Sequence, residues 1–152
     1  MGNFYHLEME FIQRTLALLD QYDELKEGFP FEQQYNHTLL TNCLLGLVVL
    51  PKEKIFDHIT DDSLETLNDY GLVHSYINPG LGTTRVFFRR LRNAVAHFGI
   101  EFLSETPDFL IDKIKFTDVR GGIVIAIFTV EEFPVFIRFF AQTLLTNMAQ
   151  VG

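Results

Sequence analysis

The chain has 152 residues, of which 47% are hydrophobic, and it carries a formal net charge of −8. This length fits a single domain over residues 1–152, and the apolar content excludes a disordered, purely solvating chain. The acidic balance argues against unspecific binding of polyanions, because Lys and Arg make the phosphate contacts. The N-terminus has no basic n-region and no apolar h-region, so we expect no secretory signal. The single cysteine, Cys43, suits a reducing, cytoplasmic location.

The N-terminal half of the sequence predicts two helices. Apolar residues at helical spacing indicate a first helix over residues 3–26, which Gly28 and Pro30 end. A second helix is predicted over residues 31–51, and we expect it to be central because its second half is apolar nearly all round. It is too short and too interrupted to span a bilayer, which needs roughly 20 apolar residues. Asn42 within it is expected to be a hydrogen-bonded core amide.

The middle of the chain predicts a short helix, a loop and a longer helix. Asp62 followed by Glu65 is typical of a helix start, and Gly71 of a helix end. Residues 78–82 contain one proline and two glycines and therefore predict a loop. The longer helix is predicted to begin at Thr83 or Thr84 and to continue through His97 to Gly99.

The C-terminal part changes from helical to strand periodicity. Residues 100–103, 110–117 and 123–130 are rich in Ile, Val and Phe, and residues 120–122 predict a hairpin turn. A last helix is predicted over residues 131–148. We therefore expect a mainly α fold, a helical bundle with a small antiparallel sheet or hairpin inserted before the last helix.

The helix before the sheet has two contrasting faces. With a step of about 100° per residue, its core face should carry Phe87, Phe88, Leu91, Ala94, Val95 and Phe98. Four of the chain's seven arginines fall within a stretch of eight residues on this helix, and an asparagine and a histidine share their side of it. These polar residues are Arg85, Arg89, Arg90, Arg92, Asn93 and His97. The alternative interpretation is an ordinary solvated face, but such a face usually mixes charges of both signs.

The run from Arg89 to His97 reads Arg-Arg-Leu-Arg-Asn-Ala-Val-Ala-His. It resembles the signature of the HEPN family, in which an arginine and a polar residue, often asparagine, precede a histidine on a late helix. The stretch Asn-Cys-Leu-Leu-Gly-Leu over residues 42–47 and the order of elements are similar to a plasmid-associated bacterial HEPN subfamily. The resemblance covers nearly the whole chain and implies the HEPN helical bundle.

The resemblance implies a metal-independent endoribonuclease that works as a symmetric dimer and leaves 2′,3′-cyclic phosphate ends. His97 would be the general acid or base, Arg92 would hold the scissile phosphate, and Asn93 would orient the histidine or the substrate. Substrate binding would fall to Arg85, Arg89 and Arg90. The chain would be a toxin or a defence effector with RNA as substrate and an antitoxin or regulatory protein as partner, away from membranes. No cofactor is implied, and the histidines show no metal-ligand spacing.

One position departs from the resemblance, and one alternative function stays open. Some toxin-type HEPN proteins carry a tyrosine two residues after the histidine, where this chain has Gly99. Chemistry or control that depends on that tyrosine is therefore not expected here. The alternative function is a non-catalytic HEPN-like module that binds RNA, a nucleotide or a protein partner and uses the basic face only for affinity.

Overall fold

The structure, a computed structural model, describes residues 7–30, 34, 36–49, 59–105, 107 and 110–151. The α-helices of these residues are α1 (Leu7–Leu25), α2 (Asn36–Val49), α3 (Thr84–Ala96) and α4 (Glu132–Val151). Short 3-10 helices cover Lys26–Gly28, Leu64–Tyr70 and Pro79–Leu81. The strands are β1 (Tyr76–Ile77), β2 (Ile100–Leu103), β3 (Lys113–Asp118) and β4 (Ile123–Thr129). The predicted combination of a mainly helical fold with a small antiparallel sheet is confirmed.

The sheet has the strand order β1-β4-β3-β2, and all of its neighbouring strands are antiparallel. Strand β1 was not predicted. It precedes α3, so that helix lies between β1 and the other three strands, and all four strands precede the last helix. Asn78 extends the pairing beyond β1, because its amide N–H donates to the carbonyl of Ile125 at 3.0 Å and its side chain to that of Val124 at 2.8 Å. The predicted loop over residues 78–82 contains the 3-10 helix Pro79–Leu81.

Helix α1 ends one residue earlier than predicted, and α2 begins later than predicted. The predicted start of α1 at residue 3 and the predicted end of α2 at residue 51 lie outside the described residues. Gln34 is not helical; its side-chain amide donates to the carbonyls of Lys26 and Phe29, each at 3.1 Å. Since Gln34 is not helical, α2 begins later than the predicted residue 31, at Asn36.

Helix α2 has a buried face and an exposed face. The buried residues on it are Leu40, Cys43, Leu44 and Leu47. Asn42 and Leu45 are exposed, so the expected core amide at Asn42 is wrong and the helix is not buried all round. A Cβ atom at Gly46 would come within 2.7 Å of the Phe11 ring, which shows how closely α1 approaches α2 at this glycine.

The segment before α3 is capped by a different residue from the one predicted. Ser63, not Asp62, caps the 3-10 helix Leu64–Tyr70, and its hydroxyl accepts from the amide of Glu65 at 3.4 Å. Gly71 ends this helix in the left-handed region with φ 85°, as expected. Asp62 instead bonds to the start of α3, since its amide donates to the Thr84 hydroxyl at 3.0 Å and its carbonyl accepts from the Thr84 amide at 2.9 Å.

Phenylalanine rings join α3, α4 and the sheet in one core. On α3 and α4, Phe88 stacks on Phe140 with ring centroids 4.7 Å apart. On the sheet, Phe116 meets Phe128 edge to face at 5.2 Å, and Phe128 stacks on Phe136 of α4 at 5.1 Å. Such ring pairs add about 0.5–1.5 kcal/mol each to the free energy gained from burial. They fix α3 against both neighbours, which determines the face it presents outward.

Glu132, the first residue of α4, holds the segment that leads into β1 through hydrogen bonds. Its carboxylate accepts from the amides of Val73, His74 and Ser75 at 2.7–3.1 Å and from the Ser75 hydroxyl at 2.7 Å. Burial raises the pKa of Glu132, but the hydrogen bonds from Ser75, His74 and Val73 outweigh it and keep the pKa below its ordinary value. No helix in the described part of the chain is long and apolar enough to cross a membrane.

Candidate functional site

The core face of α3 fixes the direction in which its polar face points. Phe87, Phe88, Leu91, Ala94 and Val95 are all buried, with at most 3% of their surface exposed. This part of the predicted core face is confirmed. Because the five residues hold one side of α3 in the core, the arginines between them must lie toward the sides or toward solvent.

Helix α3 ends at Ala96, before the predicted end at Gly99. His97 is the residue at which the helix stops; its φ of −101° and ψ of 12° are no longer helical, although its amide still donates to the carbonyl of Asn93 at 3.0 Å. The His97 side chain is exposed. The imidazole therefore lies at the C-terminal end of the helix rather than along its side.

Phe98 occupies an unusual backbone conformation just beyond the end of α3. Its φ is 55°, and the described residues contain no other non-glycine residue with a positive φ. Its amide donates to the carbonyl of Val95 at 3.2 Å, and the amide of Gly99 donates to the carbonyl of Ala94 at 2.6 Å. This pair of bonds is the Schellman motif, in which glycine is the usual residue at the left-handed position. The expectation that Phe98 belongs to the core is wrong, because 75% of it is exposed.

Gly99 lies directly against strand β3. A Cβ atom at Gly99 would be 1.9 Å from the carbonyl oxygen of Thr117, whose amide donates to the Gly99 carbonyl at 2.7 Å. No side chain fits at Gly99 without a shift of the backbone. The absence of a tyrosine at this position therefore has a structural cause, namely the contact between the end of α3 and the sheet.

The arginines of α3 lie in different surroundings. Arg85 is exposed and donates to the carbonyl of Ile59 at 3.3 Å. Arg89 is exposed, and Arg92 is half-buried. Arg90 lies against the sheet, where its guanidinium donates to the carboxylate of Asp118 at 2.7 Å. The predicted basic face is therefore divided between solvent and an internal ion pair.

Asp118, at the end of β3, accepts hydrogen bonds from two of the predicted site residues. Only 1% of it is exposed, and its carboxylate accepts from Arg90, from the side chain of Asn93 and from the amide of Arg120. The hydrogen bond from Arg90 is the main reason that the pKa of Asp118 lies below its ordinary value, and burial opposes it. The structure thus brings Arg90 and Asn93 together on one buried carboxylate.

Asp118 was not predicted as a site residue, although the sequence contains a signal for it. Strand β3 alternates between sides, and Ile114, Phe116 and Asp118 are its buried positions. An aspartate in phase with two apolar core residues must find a cation or several donors, because an unpaired buried charge is very costly. Such a position indicates a partner such as Arg90.

Arg92 and His97 are the two residues predicted to perform the chemistry. They are five positions apart in the sequence, which corresponds to about 140° around a helix axis. His97 is exposed at the end of α3, and Arg92 is half-buried one turn earlier. The two predicted site residues therefore lie at and shortly before the end of the same helix. Among the described residues, no group of three or more His, Cys, Asp or Glu side chains could hold a metal ion.

The mainly helical fold and the Arg-Asn-x-x-x-His sequence at the end of α3 are consistent with a HEPN-class domain. The family model described as HEPN pEK499 p136 matches residues 1–150, and the chain belongs to this family. The resemblance drawn from residues 89–97 is thereby confirmed. Neither the curated proteins nor the solved structures contain a significant match to the chain.

Proposed function

We propose that the chain is a metal-independent endoribonuclease that acts as a symmetric dimer. It cleaves RNA by transesterification and leaves 2′,3′-cyclic phosphate and 5′-hydroxyl ends. The observation that carries the proposal is the exposed imidazole of His97 at the end of a helix that also carries Arg92 and Arg89. Membership of the HEPN family supports it, since HEPN domains are often ribonucleases and often form dimers.

The proposed reaction needs one base, one acid and a cation. The imidazole of His97 removes the proton of a ribose 2′-hydroxyl, and the 2′-oxygen attacks the adjacent phosphorus. Arg92 binds the non-bridging oxygens and stabilises the charge that develops on them. The bond from phosphorus to the 5′-oxygen breaks, and this oxygen takes a proton from a solvent water. The hydroxide that remains takes the proton from the His97 imidazolium. The products are the cyclic phosphate and the free 5′-hydroxyl.

The remaining polar residues of α3 have supporting roles in the proposal. Arg85 and Arg89 are exposed and bind phosphates that flank the scissile one. The side chain of Arg90 keeps 41% of its surface exposed beside Asp118, so it can approach a phosphate while it remains paired. Asn93, which donates to Asp118, orients the substrate or the histidine from a fixed position.

A non-catalytic module is the second candidate function. It is favoured by the bonds of Arg90 and Asn93 to Asp118, which give these two side chains a structural role that needs no reaction. Such a module would bind RNA, a nucleotide or a protein partner through the same basic face.

As an enzyme, the chain would be a cytoplasmic toxin or defence effector controlled by an antitoxin or another regulatory protein.

The proposal is tested by incubating purified protein with total RNA and with transfer RNA in excess EDTA. We expect cleavage that leaves cyclic-phosphate ends and falls about 10²- to 10⁴-fold in His97→Ala and about 10²- to 10³-fold in Arg92→Ala. His74→Ala and Arg120→Ala are matched controls, since they remove an exposed imidazole and an exposed guanidinium that lie outside α3. Both controls should cleave at the wild-type rate.

Three results would contradict the ribonuclease proposal. Cleavage that EDTA abolishes would indicate a metal-dependent reaction. Cleavage that His97→Ala retains would place the proton transfer elsewhere. Binding of RNA without cleavage, unchanged in His97→Ala, would favour the non-catalytic module instead.

A further inference from the structure

Phe98 is the most exposed of the large apolar side chains in the described part of the chain. Its exposed fraction is 75%, against 55% for Phe29 and 43% for Phe139. It follows His97 directly, at the end of the helix that carries the arginines. An aromatic ring in this position makes little contribution to the core.

The backbone of Phe98 strengthens this point. The residue lies in the left-handed region with φ 55°, at the position of a Schellman motif where glycine is the favoured residue. A bulky side chain with positive φ is a rare outlier, and such strain persists mainly at functional sites. Glycine would relieve the strain, and little packing would be lost because the ring is mostly in solvent. The chain therefore has an aromatic ring at a position whose backbone conformation favours glycine.

The surroundings of the ring suit a strand of RNA. Bases of single-stranded RNA stack on aromatic rings while cationic side chains hold the neighbouring phosphates. Here Phe98 directly follows the exposed His97 in the chain, and helix α3, which ends just before them, carries exposed guanidiniums at Arg85 and Arg89.

We propose that Phe98 is a substrate-binding residue whose ring stacks on a nucleobase beside the scissile phosphate of single-stranded RNA. The inference deepens the proposed function and rests on it, because the stacked base belongs to the RNA that His97 and Arg92 act on. Stacking on an aromatic face tolerates every base. Phe98 therefore contributes affinity and selects unpaired RNA without selecting a sequence.

The test measures binding of a short single-stranded RNA that cannot be cleaved. The RNA carries a 2′-O-methyl group at every position, which blocks attack by the 2′-oxygen, and one of its bases is 2-aminopurine, whose fluorescence falls when the base stacks. Phe98→Tyr keeps an aromatic ring, Phe98→Leu keeps apolar bulk without one, and Phe98→Gly removes both the ring and the strain. Phe29→Leu is the matched control, since it changes an exposed phenylalanine just after α1.

We expect quenching and tight binding with the wild type, Phe98→Tyr and Phe29→Leu. Phe98→Leu and Phe98→Gly should bind about tenfold more weakly, as loss of one stacked base predicts. Phe98→Gly should also unfold at a temperature equal to or above that of the wild type, because glycine suits the left-handed conformation. Weaker binding by a variant of undiminished stability would separate a binding role from a folding role.

The results that overturn the inference are distinct from those that overturn the proposed ribonuclease. Equal RNA affinity of wild type, Phe98→Leu and Phe98→Gly would remove the stacking role even if the wild type cleaves RNA. A dimer that dissociates in Phe98→Gly during sedimentation would make the ring a contact between copies. A wild type that binds RNA through Phe98 but cleaves none would leave the inference standing without the ribonuclease. A wild type that binds no RNA would overturn both.

Discussion

Gly99 is the residue through which α3 meets the sheet. The Gly99 carbonyl accepts a hydrogen bond from the amide of Thr117. Because Gly99 has no side chain, the carbonyl of Thr117 can lie directly against it. His97 lies two residues earlier, so the contact fixes the backbone that carries the imidazole. The position of the proposed catalytic group therefore depends on a backbone contact that a single methyl group would disturb.

Gly99→Ala should destabilise the fold by about 2 kcal/mol, because the added Cβ would overlap the Thr117 carbonyl and force a backbone shift. At this chain length the midpoint of thermal unfolding should fall by about 4–8 °C. Gly28→Ala is the matched control, since nothing lies within 4 Å of a Cβ atom there. Equal unfolding temperatures for the two variants would show that the contact at Gly99 is not tight.

At the scale of elements, Asp118 connects β3 to α3. The ion pair with Arg90 and the bond from Asn93 cross from the sheet to the helix just before the helix ends. Removal of one partner of such a pair costs more than the pair itself contributes, because the other group is left without its partner. The hairpin of β3 and β4 therefore helps to set how α3 presents its exposed polar residues.

Asp118→Asn should lower the free energy of unfolding by about 2 kcal/mol at pH 7, where the wild-type carboxylate is charged and hydrogen-bonded. The pKa of Asp118 is lower in the folded protein than in the unfolded chain, so its contribution is present above the unfolded pKa of about 4. That contribution is lost as the pH falls through the folded pKa. The stability difference between wild type and Asp118→Asn should therefore shrink in acid.

Urea unfolding of both proteins between pH 7 and pH 2 measures this difference. Asp61→Asn, which changes an exposed carboxylate, is the control and should match the wild type at neutral pH. A difference between wild type and Asp118→Asn that stays constant as the pH falls would contradict the assigned role of the carboxylate charge.

The sequence predicted those elements in which apolar residues recur at regular spacing over several helical turns or several strand positions. The core face of α3 followed from helical spacing, whereas the end of the helix did not, because an apolar residue at position 98 continues the same spacing. Only the hydrogen bonds around Ala94 and Val95 show that the helix stops there. Strand β1 has two residues, too few for any alternation to appear.

The predictions for the site differ in a similar way. The spacing in the sequence placed the arginines, Asn93 and His97 on one helix. It could not show which of these side chains face solvent and which bond to Asp118, because that depends on strand pairing. The β3–β4 register pairs Asp118 with Ile123 at the end of the hairpin and thereby determines where the carboxylate lies. Contacts between elements that are distant in sequence are not visible in the spacing within one element.

At the scale of the whole molecule, an acidic chain carries a cationic helix. The net charge of −8 repels RNA at long range, while exposed arginines such as Arg85 and Arg89 attract phosphates locally. This contrast favours a selected RNA over bulk RNA. The proposed site is one that a second copy completes, since a two-fold interface can bring each Arg92 near its partner's His97.

The measurement that tests this account most directly mixes Arg92→Ala and His97→Ala in equal amounts, after subunit exchange has been verified by sedimentation. In a mixed dimer, one of the two shared sites combines the intact arginine of one chain with the intact histidine of the other. Since half of the dimers are mixed, we predict recovery of about a quarter of the wild-type cleavage rate, although each variant alone is inactive. A mixture that exchanges subunits and cleaves no faster than the separate variants would contradict the shared site.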